Sequence, residues 1–151
     1  MSKSSLFDLT GRVAIVTGGN GGIGKGLAMG FASAGADIVV AARNQDKNTR
    51  AVEEIKCQGS KVIAVQVDLV SKTDVDRAVS ETINEFGRVD ILVNNAGTNI
   101  RKRPEEYSVE EWDFILNTNL RSAFLCSQAV YPYMKSNGGG KIINIGSMFS
   151  I

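Results

Sequence analysis

Five short runs of apolar, largely β-branched residues, separated by segments of helical character, constrain this chain more than any other feature. They cover residues 13–16, 38–42, 62–67, 91–93 and 142–145. Each is continuously hydrophobic rather than alternating, as in strands buried on both faces of a parallel sheet. The intervening segments, about 22–34, 46–58 and 71–87, stop at Gly35, Gly59 and Gly87, the residue type that ends helices most readily. A fourth opens on Ser108 with Glu111 three residues on, a capping box, and its periodicity carries to about Met134. This predicts a single helix of roughly 40 Å, with Pro132 marking a kink near its end. Strand–helix alternation of this kind predicts an α/β fold: a doubly wound parallel sheet, Rossmann-type, in strand order 3-2-1-4-5. The 151 residues fit one domain, with no repeat or linker.

The composition excludes several kinds of chemistry. There is no histidine, so no mechanism can use imidazole as base or ligand, and no metal site is expected. Cys57 and Cys126 lack metal-ligand spacing and are expected to be reduced. A net charge of +1 gives no reason to expect nucleic acid or a membrane surface as partner. The first five residues carry no apolar signal stretch, which makes the cytoplasm the expected location.

Directly after the first run comes Thr17-Gly18-Gly19-Asn20-Gly21-Gly22-Ile23-Gly24, with a helix behind it. Glycines at a strand-to-helix turn let a pyrophosphate approach the backbone at the positive end of the helix. The spacing is T-G-x-x-x-G-x-G, not G-x-G-x-x-G. A second segment, Asn94-Asn95-Ala96-Gly97, follows the fourth run, and Asp68-Leu69 follows the third. Two asparagines at the end of a buried strand require hydrogen-bond partners.

Together these segments resemble the short-chain dehydrogenase/reductase family, and the resemblance runs from the first strand to the last residue. It implies a dinucleotide cofactor held by Thr17, Gly18, Asn20, Gly22, Ile23 and Gly24. Asp68 and Leu69 would face the adenine, and Asn95, Ala96 and Gly97 would wall the ribose. It also implies a homo-oligomer, dimer or tetramer. The second run ends Ala41-Ala42-Arg43, with alanine where an NAD-binding acid would stand and arginine beside it. That pattern favours NADP, with NAD the alternative. Gly21 counts against it, because many NADP-preferring relatives carry a basic residue there.

Trp112, Leu116, Asn119 and Ala123 follow spacings of four, three and four, which places them on one helical face, presumed buried. By resemblance Asn119 is the asparagine that holds a water in the proton relay; Asn117, two residues off the face, is the weaker candidate. In residues 140–147, Gly-Lys-Ile-Ile-Asn-Ile-Gly-Ser, Ser147 matches the family's catalytic serine, with Gly146 replacing the serine before it. The family's acid, a tyrosine with a lysine four residues on, is expected beyond Ile151. None of Tyr107, Tyr131 and Tyr133 has that lysine, so residues 1–151 are expected to be an incomplete dinucleotide-binding domain without turnover of its own. The implied reaction is hydride transfer between NADP(H) and a small-molecule secondary alcohol or ketone. The stretch around Ser147, with Asn99-Ile100-Arg101, is similar to members acting on sugar acids. Arg101, Lys102 and Arg103 could attract a carboxylate, although a solvated loop is their plainer role. A reductase of acyl-carrier-protein thioesters and a non-catalytic dinucleotide-binding module remain the alternatives.

Overall fold

The computed structural model describes residues 6–147. Residues 1–5, on which the reading of location partly rests, and the last four residues lie outside the described part. Five parallel strands, β1 (Val13–Thr17), β2 (Asp37–Ala42), β3 (Val62–Gln66), β4 (Ile91–Asn94) and β5 (Lys141–Asn144), form one sheet in the order 3-2-1-4-5. This is the doubly wound topology expected from the sequence. Between the strands run α1 (Gly22–Ser33), α2 (Gln45–Lys56) and α3 (Lys72–Phe86), and after β4 come α4 (Val109–Leu116) and α5 (Ser122–Ser136).

The helices start and stop for local reasons. Asn44 caps α2 by accepting from the Lys47 N–H at 2.9 Å, and Ser71 caps α3 through the Asp74 N–H. Ser108 and Glu111 form the capping box that opens α4. Gly87 closes α3 in the left-handed conformation, φ 75°, which an L side chain adopts only at a cost.

Two cores flank the sheet. On one side, Val13, Ile15, Val39 and Leu92 meet α3 and α5 through Val75, Val79, Leu125 and Val130. On the other, Val16, Ile38, Val40 and Val93 meet α1 and α2 through Ala28, Ala32, Ala51 and Ile55. Cys126 belongs to the first core, where burial pushes its thiol up to about 12. Cys57 is exposed at the end of α2.

The expectation of one long helix needs correction. The long helix is not one uninterrupted α-helix: Asn117–Arg121 form a π-type turn between α4 and α5. Such turns put an extra residue into the helical repeat and are frequent at functional sites. They also shift the phase, so a four-three-four spacing across one no longer defines a single face. The expected burial fails as well, because Trp112, Leu116 and Asn119 are exposed. β5 is the exposed apolar edge expected of a chain that stops soon after its fifth strand. It lies at the sheet's edge and is exposed along its whole length, with Ile142 and Ile143 showing 39% and 38% of their surface. Only four of the five strands are covered as a parallel sheet requires.

Candidate cofactor cleft and catalytic hollow

The carboxyl ends of β1, β2, β3 and β4 open onto a cleft of about 660 Å³. Its walls bring together four segments far apart in sequence. Gly18, Asn20 and Gly21 come from the turn after β1; Ala42, Arg43, Asn44 and Lys47 from the end of β2 and the start of α2. Asp68 and Leu69 follow β3, and Asn95, Ala96 and Gly97 follow β4. Open doubly wound sheets place ligands at this switch point of the strand order.

The glycine turn packs closely and leaves the helix start open to an anion. Gly18 and Gly22 hold positive φ, 64° and 49°. A Cβ on Gly24 would lie 2.4 Å from both the Asn95 side-chain nitrogen and the Gly18 carbonyl oxygen, so only glycine lets α1 start this close to β4. The N–H groups of the first turn of α1 lie behind this loop, where an anion is favoured. Ile23 is 69% exposed and Gly22 and Gly24 shape the turn from behind, so none of the three lines the cleft itself.

Thr17 serves the wall rather than the cleft. Its buried hydroxyl donates to the Val93 carbonyl at 3.2 Å and accepts from the N–H groups of Asn95 at 2.9 Å and Ala96 at 3.0 Å. The Asn95 side chain donates back to the Thr17 carbonyl at 3.0 Å. Asn94 donates to Asn144 Oδ1 at 2.8 Å and to Ser127 Oγ at 3.2 Å, tying β4 to β5 and α5. Both asparagine side-chain amides therefore donate to partners and the backbone after β4 is fixed from behind, but the buried Asn94 Oδ1 has no hydrogen-bond partner among the described residues.

Arg43 is exposed at the mouth of the cleft, and its carbonyl accepts from Gln66. Ala42, the last residue of β2, is buried beside it and lines the cleft. Asp37 stands at the other end of β2 and accepts from the Lys61 N–H.

A second hollow of about 770 Å³ adjoins the first along Asn95, Ala96 and Gly97. Asn119 and Ser147 both line it, with Thr98, Ser127 and Asn144. Asn119 is held by a reciprocal pair of bonds: its Oδ1 accepts from the Thr98 N–H at 2.7 Å and its Nδ2 donates to the Thr98 carbonyl at 2.8 Å. Gly97 permits this approach, since a Cβ there would stand 3.2 Å from Asn119 Oδ1. The π-type turn divides the asparagines between the cavities. Asn117 lines the cofactor cleft with Thr118 and Ser122, while Asn119 faces the hollow. None of the three tyrosines lines either cavity; the Tyr107 hydroxyl donates to the Ile100 carbonyl. The Lys102 ammonium is paired with Glu111 at 2.5 Å, which leaves less basic charge in that loop than the sequence suggests.

Sequence reasoning missed Asn48. It is fully buried in α2, accepts from the Asn20 side chain at 2.7 Å and donates to the Ala42 carbonyl at 2.9 Å. It thus binds the glycine turn to the end of β2. The only signal was an asparagine four residues before Val52 on the apolar side of an otherwise polar helix. Among the described residues no group of His, Cys, Asp and Glu could hold a metal, and no helix is long and apolar enough to cross a membrane.

A cleft at the switch point and a glycine turn before a helix are features of a Rossmann-type nucleotide-binding fold. Comparison with known proteins agrees. The family model for short chain dehydrogenases matches residues 12–151, and the chain belongs to that family. It is 41% identical over 147 residues to the 2-dehydro-3-deoxy-D-gluconate 5-dehydrogenase of Escherichia coli (strain K12), an alignment covering 97% of this chain and 57% of that enzyme. It superposes on L-sorbose reductase from Gluconobacter frateurii, solved with NADPH and L-sorbose, with a TM-score of 0.92 and 36% identity, over 96% of this chain and 56% of that one. An NAD+-bound xylitol dehydrogenase gives a TM-score of 0.90 at 29% identity, over 93% and 54%. The chain spans a little over half the length of the curated relatives it matches.

Proposed function

We propose that this chain forms the cofactor-binding part of an NADP(H)-preferring oxidoreductase that interconverts a secondary alcohol and a ketone on a sugar-like substrate. The observation that carries the cofactor choice is the end of β2: a buried Ala42 in place of an acid, with Arg43 exposed on the cleft wall. A carboxylate there would repel a 2′-phosphate; a guanidinium can bind it with paired, charge-assisted hydrogen bonds. The names of the similar proteins, a keto-sugar-acid dehydrogenase, a sorbose reductase and a xylitol dehydrogenase, support a polyhydroxylated substrate.

When bound, the nicotinamide supplies or takes up the hydride. Asn95, Ala96 and Gly97 form the partition between cofactor cleft and hollow, so the reacting carbon would sit beside them. Ser147 holds the substrate oxygen by donating a hydrogen bond as negative charge develops on it, which lowers the barrier most where the donor is already in place. Asn119, fixed by Thr98, keeps a polar, water-binding position in the hollow for proton delivery. The proton itself needs a better acid than an aliphatic hydroxyl. Because the tyrosines of this chain lie away from both cavities, we assign that acid to a tyrosine outside residues 1–151. We also infer a homo-oligomer: Phe124 and Tyr131, seven residues apart on α5, are exposed by 60% and 58%, apolar surface of the kind that associating faces bury.

Titration of the protein with NADPH and NADH tests the cofactor choice. Arg43→Ala should weaken NADPH by about 1–3 kcal/mol, the value of one charge-assisted contact, and leave NADH nearly unchanged. Equal losses for both nucleotides would refute it. Consumption of NADPH with ketoses and keto-sugar acids, absent for simple aliphatic ketones, checks the substrate class.

A further inference from the structure

We infer that Lys47 is a second cation for the cofactor's 2′-phosphate, acting beside Arg43 and supplying the charge that Gly21 leaves out of the glycine turn; this rests on the NADP(H) reading above. Lys47 and Arg43 both line the cleft, at its β2 end, and both are exposed. Neither is drawn into an ion pair among the described residues, whereas Lys25, on the helix that follows the glycine turn, is neutralised by Glu54 at 2.6 Å. Asp68 is the one carboxylate among the described residues of that wall. Two cations therefore face one anion, and the β2 end of the cleft carries a net positive charge.

The position of Lys47 is built. Asn44 accepts from the Lys47 N–H at 2.9 Å, fixing the first turn of α2 directly after Arg43. Asn48, the next residue, anchors that turn to the Ala42 carbonyl and, through Asn20, to the glycine turn. Arg43 and Lys47 thus bracket a strut that spans the cleft's end, and their backbones do not have to reorganise to meet a dianion. Preorganisation of this kind is what turns two surface charges into affinity. Gly21 lines the same cleft from the turn after β1, with open space where its side chain would be, so the phosphate pocket has room but no cation from that side. The long, flexible stem of a lysine can reach from α2 into that room.

The test measures binding by titration calorimetry, without turnover. Adenosine 2′,5′-bisphosphate, AMP, NADPH and NADH are titrated into the protein and its variants Lys47→Ala, Lys47→Arg, Arg43→Ala and Arg50→Ala. Lys47→Ala should weaken the bisphosphate and NADPH about tenfold, one charge-assisted hydrogen bond, and leave AMP and NADH within twofold. Lys47→Arg should restore most of the loss. Arg50→Ala removes an equal charge from α2 away from the cleft and should leave all four ligands within twofold. The assignment of Lys47 is overturned if its alanine variant binds NADPH within twofold of the wild type, weakens NADPH and NADH alike, or merely matches Arg50→Ala. In those cases a selective loss in Arg43→Ala would leave the NADP(H) reading standing. If Arg43→Ala also shows no selective loss, that reading falls with it.

Discussion

Replacing Thr17 by valine removes one oxygen and nearly no volume, and it tests whether the cleft wall is held from behind. The Thr17 hydroxyl makes three hydrogen bonds, to the Val93 carbonyl and from the N–H groups of Asn95 and Ala96. They are not equally costly to lose. The Asn95 N–H keeps a second acceptor, the Val93 carbonyl at 3.1 Å, and that same bond keeps the carbonyl satisfied. The Ala96 N–H has no other acceptor among the described residues and is only half-buried. One orphaned donor costs about 1–3 kcal/mol, and the two weakened bonds contribute up to about 1 kcal/mol each. With partial access of water to Ala96, the expected destabilisation of Thr17→Val is about 2–3 kcal/mol. Thr17→Ser keeps the hydroxyl and loses a methyl group, for about 1 kcal/mol. Urea unfolding followed by circular dichroism gives both values. Titration with NADPH and NADH should show Thr17→Val weakening both to a similar extent, since the wall serves the part common to the two. A valine variant within 0.5 kcal/mol of wild type, or a serine variant as damaged as valine, would refute the strut.

Gly24→Ala should cost about 1–3 kcal/mol through overpacking, because its Cβ meets Asn95 and the Gly18 carbonyl at 2.4 Å; unfolding midpoints and a matching loss of affinity for both nucleotides check this. Asp90 is buried where β4 starts, and burial pushes its carboxyl up. Hydrogen bonds from Arg88, the Val13 N–H and Arg12 outweigh that and hold it below the usual carboxylate value. Because the folded value is depressed, its contribution is complete above about pH 4, the unfolded value, and is lost as pH falls through the folded one. Asp90→Asn should therefore lower stability at neutral pH by about 1–2 kcal/mol, discounted because both arginines are partly exposed, and should flatten the acid limb of stability against pH. An unchanged acid limb would show that Asp90 does not couple folding to protonation.

How much of this was legible in the sequence depends on the range of the interaction. Each inner strand is a local run, and each of the first three helices stops at or just before a glycine that adopts positive φ. The sheet order then follows from the handedness of strand–helix–strand units. Segments of the site were equally visible, because glycine spacing and a paired asparagine are local signals. What could not be seen is which side chain closes which gap. Asn48 reads as one more polar residue in a polar helix, yet it ties the end of β2 to the glycine turn through Asn20, 28 residues before it. Asn119 reads as buried by spacing, yet it is exposed and held by Thr98. The failure has a definite cause: a π-type turn leaves no mark in residue type, and the face drawn across it assumed 3.6 residues per turn throughout.

The two asparagines on that turn need not compete for one role. Residues two apart on a helix point to nearly opposite sides, about 200° apart in an α-helix, so each of the two can serve a different cavity. The wider turn, set where α4 passes the loop after β4, lets Asn117 line the cofactor cleft while Asn119 grips Thr98 beside the hollow. Gly97 takes part in the same contact, because a side chain there would press on Asn119. The partition between the cleft and the hollow is thus defined jointly by a strand end and a helix irregularity.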